Sequence, residues 1–204
     1  HDGPVFDRAL SDISNRKDKS PTLTVIQTSS SHEPFDVPFG RFAHDKRLNA
    51  FSYADDCLGR FVRGLRASAA WERALVVIVP DHWGAWPQGL EDRMRRHHIP
   101  LVMTGGALAG TPVIVDKIGS QSGIAPTILA LMGIRDALPF GRDLLDTRTA
   151  GFGYVSEPSW FGLVTDRGLS AVSTDTGATL EGDSADVRAA KALVQSIYTD
   201  LSKR

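Results

Sequence analysis

Apolar and polar positions alternate along this chain in more than one rhythm. Phe6 to Ile13 places its apolar residues on one helical face. From Leu48 onward, Phe51, Leu58, Phe61, Val62 and Leu65 recur at helical spacing through a segment that ends near Trp71. Ile124 to Met132 predicts a short helix closed by Gly133. Val187, Ala190, Val194, Ile197 and Leu201 form one stripe of a last amphipathic helix.

Between these helices run segments of another texture. Thr22 to Thr28 follows Pro21 and is β-branched, Ala74 to Val79 carries no polar residue, and Ile99 to Gly106 ends in glycines. Thr111 to Val115 reads as an edge strand, because Pro112 removes a ladder donor. Strands that are apolar throughout and alternate with helices predict an α/β fold, a mostly parallel sheet with helices on its faces. Working residues in such sheets lie beyond the carboxyl ends of the strands. That rule puts His32 and the Asp81-His82 pair in the functional region.

After Gly141 to Leu145 the pattern changes. Phe152 to Val155, Trp160 to Val164 and Leu169 to Val172 are short runs separated by Pro158, Asp166-Arg167-Gly168 and Asp175-Thr176-Gly177. These predict a small antiparallel sheet. The expected organisation is residues 1–149 as the α/β part and 150–204 as a small antiparallel sheet plus terminal helix packed on it.

Composition narrows the function classes. The 204 residues suffice for one substantial core, and 23 Lys and Arg against 24 Asp and Glu leave no field that would recruit nucleic acid. Cys57 is the sole cysteine, which excludes an internal disulfide framework. No apolar run reaches the roughly 20 residues that span a bilayer. The chain starts at His1, so the expectation is a piece of a longer protein whose preceding part carries any export signal or anchor.

Several positions carry candidate chemistry. A strand that ends in Asp81-His82 can present a carboxylate oxygen and an imidazole nitrogen to one divalent ion, although two ligands do not complete a site. The other reading is a helix cap beside a satisfied histidine. His32, between Ser31 and Glu33, is either a donor to an anionic oxygen or an ordinary loop histidine. Of His97 and His98, at most one faces a cleft, since neighbours on a strand point to opposite sides. Cys57 lies inside a helical pattern and reads as a packing residue, and Arg93-Met94-Arg95-Arg96 as a solvated basic loop.

Taken in order, these segments resemble the carboxyl-terminal half of the sulfatase-like domain of the alkaline phosphatase superfamily, in particular its lipoteichoic acid synthase and phosphoglycerol transferase branch. The resemblance rests on His1-Asp2-Gly3 with Phe6, on Ser31-His32-Glu33-Pro34-Phe35, and on Tyr53-Ala54-Asp55-Asp56-Cys57-Leu58-Gly59-Arg60-Phe61. It continues through Asp81-His82, His98-Ile99-Pro100-Leu101 and Ser122-Gly123-Ile124-Ala125-Pro126-Thr127-Ile128-Leu129. Trp83 stands where the family often has glycine, and Gly123 where it usually has aspartate.

The resemblance implies a metal-dependent phosphotransferase or hydrolase acting on phosphoglycerol-type or other phosphate esters of the cell envelope. It makes Asp81 and His82 ligands to a divalent ion (Mn, Mg or Zn), His32 the catalytic histidine, and His32, Trp83 and His98 substrate-binding residues. The acidic ligand and the nucleophilic threonine would lie in the amino-terminal half of the domain, before His1, so this piece alone would be inactive. Expected partners are that missing half and a phosphorylated or sulfated glycerol or glycan, with no nucleic acid. The expected location is extracytoplasmic, periplasmic or cell-surface, with membrane attachment through the missing region. The alternatives are a sulfate-ester hydrolase and a non-catalytic glycan- or lipid-binding member of the same fold.

Overall fold

In the computed structural model of the chain, residues 1–18, 20–84, 89, 92–108, 110–134 and 138–204 are described, and they divide into two compact units. The first holds His1–Val79 with Leu101–Thr111, the second Pro80–Pro100 with Pro112–Arg204.

The first unit is built on helices α1 (Asp2–Ser14) and α2 (Lys46–Arg66). The Asp45 side chain accepts from the Leu48 amide at 2.9 Å and so caps the start of α2. Tyr53, Cys57, Phe61 and Leu65 recur every four residues on α2 and are buried against Phe6 of α1, with the Phe6 and Phe61 ring centroids 5.2 Å apart. Each such large side chain contributes about 1.5–3 kcal/mol by leaving water. A Cβ at Gly64 would run into the Leu10 side chain, so glycine permits the close approach of the two helices. Strands β1 (Val76–Ile78) and β2 (Val102–Thr104) pair antiparallel, with Val77 opposite Met103.

That pairing corrects one local expectation, since β1 and β2 run in opposite senses. Nor do residues 22–28 and 111–115 form strands among the described residues. Leu23, Val25, Val113 and Ile114 are at least four-fifths exposed. Their β-branched composition favours extended backbone, but a strand needs a ladder partner.

The second unit carries the four-stranded antiparallel meander β3 (Gly153–Glu157), β4 (Trp160–Thr165), β5 (Gly168–Ser173) and β6 (Thr179–Glu181), in that spatial order. Asp166-Arg167 turns β4 into β5, and Gly168 follows at φ 99, a conformation that suits glycine. Helix α5 (Ser184–Leu201) packs on β4 and β5; Val187 and Ala190 of the helix are buried, as are Leu163, Ala171 and Val172 of the strands. Its N-cap Asp183 accepts from the Ala185 and Asp186 amides. The basic run predicted as a loop is the short helix α3 (Arg93–Arg96), capped by Asp92. Helix α4 (Ile124–Leu131) ends as predicted before Gly133, at φ 75. No described helix is long and apolar enough to cross a membrane.

Candidate metal and substrate site

Asp81 and His82 sit in the second unit with both side chains exposed, so local hydrogen bonds and not packing set their geometry. Asp81 Oδ1 accepts from the His82 backbone amide at 2.9 Å. His82 Nδ1 lies 2.8 Å from the Trp83 carbonyl oxygen. A carbonyl only accepts, so Nδ1 carries the proton there, and in the neutral ring Nε2 bears a lone pair. Nε2 faces Asp81 Oδ2 at 3.5 Å. A lone pair and a carboxylate oxygen so placed repel each other unless a proton or a cation lies between them. Two ligands on one tetrahedral ion with bonds of about 2.0–2.1 Å stand roughly 3.4 Å apart. The pair therefore fits as two members of a metal's ligand set, with Nδ1 donating to a carbonyl as ligating histidines do.

The backbone beneath the pair is held from a distance. Gln121 lies in a 3-10 turn just ahead of α4 and donates its side-chain amide to the Pro80 and Asp81 carbonyls, each at 2.8 Å. Sequence reasoning missed this residue, since nothing in a lone glutamine points forty positions back. Trp83 is half-buried, and the Arg96 guanidinium lies over its ring at 5.6 Å. One face of the Trp83 ring is thus already covered by a cation, and Arg96 is fixed on the side chain next to His82.

Of the two adjacent histidines, His97 has the more defined surroundings. It lies 3.3 Å from Glu157 and edge-on to Trp160, and burial holds its pKa below the ordinary value, outweighing the Glu157 carboxylate. Arg93, Arg96, His97, Glu157, Ser159 and Trp160 line a cavity of about 410 Å³. His98 is exposed, and no described contact joins it to Asp81, His82 or Trp83.

His32 belongs to the first unit. Its amide donates to the Ser29 carbonyl at 3.0 Å, its own carbonyl accepts from Phe35 at 3.0 Å, and its Nδ1 lies 3.0 Å from the Glu33 carbonyl. The same tautomer argument leaves Nε2 of this exposed ring free to meet a ligand. Among the described residues, no group of three or more His, Cys, Asp or Glu side chains is gathered around one point.

The chain superimposes on a protein of the alkaline phosphatase superfamily from Vibrio parahaemolyticus with a TM-score of 0.78 at 23% identity, covering 98% of this chain and 55% of that one. The lipoteichoic acid synthase LtaP from Listeria monocytogenes aligns with a TM-score of 0.61 at 24% identity, over 86% of this chain and 52% of that one. The fold is that of the alkaline phosphatase superfamily. Residues 1–134 match the Sulfatase family model, and the chain belongs to that family. A lipoteichoic acid synthase-like protein of Bacillus subtilis (strain 168), YvgJ, is 22% identical over an alignment of 173 positions, with 68% of this chain and 27% of that protein covered. The chain thus spans about a quarter of this curated relative and about half of each solved structure.

Proposed function

We propose that this chain forms part of a metal-dependent phosphotransferase or hydrolase that acts on phosphoglycerol-type or other phosphate esters of the cell envelope. The observation that carries the reading is the 3.5 Å approach of His82 Nε2 to Asp81 Oδ2, with Nδ1 committed to the Trp83 carbonyl. Asp81 and His82 would hold a divalent ion, of Mn, Mg or Zn type. When bound, such an ion lowers the pKa of a nucleophilic hydroxyl and screens charge on phosphoryl oxygens. The remaining ligand and the nucleophile are assigned to sequence outside residues 1–204, in keeping with the partial span of the relatives.

The chain's own residues supply the rest. His32 is exposed with Nε2 free, so it can hydrogen-bond an anionic oxygen or, once protonated, hand a proton to a leaving alkoxide. Arg96, steadied on Trp83, offers planar donors suited to a phosphoryl oxygen. His98 is retained as a substrate contact on sequence resemblance alone. An extracytoplasmic, membrane-anchored location is proposed from the same likeness to lipoteichoic acid synthases.

Sulfate esters are the second reading, favoured by the family model itself. Turnover by the whole protein of a glycerophosphodiester against a matched sulfate ester, each with and without added Mn²⁺, separates the two. Metal-stimulated release from the phosphodiester alone is expected. Release from the sulfate ester alone would transfer the assignment to sulfatase chemistry, and turnover of neither would remove the enzymatic reading.

A further inference from the structure

Asp2 is almost completely buried, at 2% exposure, which is an unusual place for a carboxylate in the first turn of a helix. Burying a charged group costs several kcal/mol unless it is compensated. The compensation comes from the loop that carries His32. Asp2 Oδ1 accepts from the backbone amides of Ser29 at 2.8 Å and Ser30 at 3.1 Å, and the Asp2 amide donates to Ser30 Oγ at 2.8 Å. The positive end of α1 favours the same charge. Oδ2 is buried with no hydrogen-bond partner among the described residues, so the carboxylate's share of the attachment runs through Oδ1, beside the backbone bond to Ser30 Oγ.

Two consecutive amides aimed at one oxygen fix the orientation of the peptide between them. The Ser29 carbonyl then accepts the His32 amide, closing the turn. The His32 ring is exposed and takes its orientation from the Glu33 carbonyl, not from packing. The position of its Cα therefore depends on a relay from Asp2 through Ser29, across 27 residues of sequence. The carboxylate makes no capping bond to α1 itself, whose N-cap position is His1. What the buried carboxylate adds is the tether.

We infer that Asp2 is a positioning residue that holds the His32 turn in register for the reaction. This rests on the reading of His32 as a residue that meets the substrate. In the whole protein, Asp2→Ala is expected to lower kcat by about 10- to 100-fold, since small misplacements of a working group cost rates of that order. KM should stay within about twofold, because the ring remains present but less often in place. Asp2→Asn, which keeps an acceptor of the same size, should recover part of the rate. With isotope-labelled histidine, the His32 ring resonance should move toward that of free imidazole in Asp2→Ala while the His44 resonance stays fixed. A purely structural role would lower stability without moving the His32 signal at temperatures where the variant is folded. Native kcat in Asp2→Ala, or reduced kcat with an unmoved His32 resonance, overturns the inference. Should Asp2→Ala not fold, the same two readouts on Asp2→Asn decide it. His32→Gln, measured in parallel, separates the two layers. If that variant loses activity while the Asp2 variants keep it, only the positioning role falls. If it retains activity, the reading of His32 falls and the positioning role with it.

Discussion

The Gln121 side-chain amide donates to the Asp81 carbonyl at 2.8 Å from forty residues further along the chain, and to the Pro80 carbonyl at the same distance. This pair of bonds fixes the backbone from which the Asp81 and His82 side chains project. Gln121→Ala is expected to weaken divalent-ion binding by the whole protein about 10- to 100-fold, the usual cost of losing a group that orients ligands. Titration calorimetry with Mn²⁺ measures it, and an unchanged affinity would show that the turn holds itself.

Thr127 is fully buried, and its hydroxyl donates to the Gly123 carbonyl at 2.7 Å while accepting from the Leu144 amide at 2.8 Å. Thr127→Val keeps the shape but strands the Leu144 amide. A loss of about 1–3 kcal/mol is expected in denaturant unfolding, with Thr127→Ser closer to wild type.

Gly105 follows β2 at φ 132, and a Cβ there would collide with the Ala74 carbonyl. Gly105→Ala combines a disfavoured backbone with a backbone clash. It should destabilise by at least about 2 kcal/mol, read as a lowered unfolding midpoint.

Asp186, buried at the start of α5, is bound by the Arg167 guanidinium and by the Thr165 hydroxyl at 2.8 Å, and Arg167 holds its pKa below the ordinary carboxylate value. The folded chain thus binds this proton less readily than the unfolded chain. Its stabilisation is fully present above the unfolded value of about 3.9 and is lost as pH falls through the lower folded value. Asp186→Ala should cost about 1–3 kcal/mol at pH 7, with the gap to wild type closing in acid, as measured by denaturant midpoints across pH.

The amphipathic helix at 46–66 was readable from apolar positions at helical spacing; of these Phe61 and Leu65 are buried, as is Cys57, read as a packing residue, while Phe51, Leu58 and Val62 are only partly buried. The hairpin series was readable from its turn residues, with Asp166-Arg167-Gly168 between two runs of strand formers. Strand pairing was less readable. Leu23, Val25, Val113 and Ile114 have the composition of strands, yet composition carries no record of whether a neighbour is present to complete the ladder. Among the proposed site residues, Asp81 and His82 stand out in the sequence by adjacency after an apolar run. Asp2, Gln121 and Arg96 did not, because each acts through a tertiary contact: two distant amides, two distant carbonyls and an indole face. Arg96 in particular read as a solvated charge, which is the usual fate of arginine in a basic run.

The central claim is that Asp81 and His82 share a divalent ion, and direct metal titration of the whole protein tests it most closely. Wild type is expected to bind Mn²⁺ saturably. Asp81→Ala and His82→Ala should each weaken binding by about 100-fold or more, beyond the cost of losing the Gln121 support. Binding that is unaltered in both variants, or absent from wild type at saturating supply, would contradict the account.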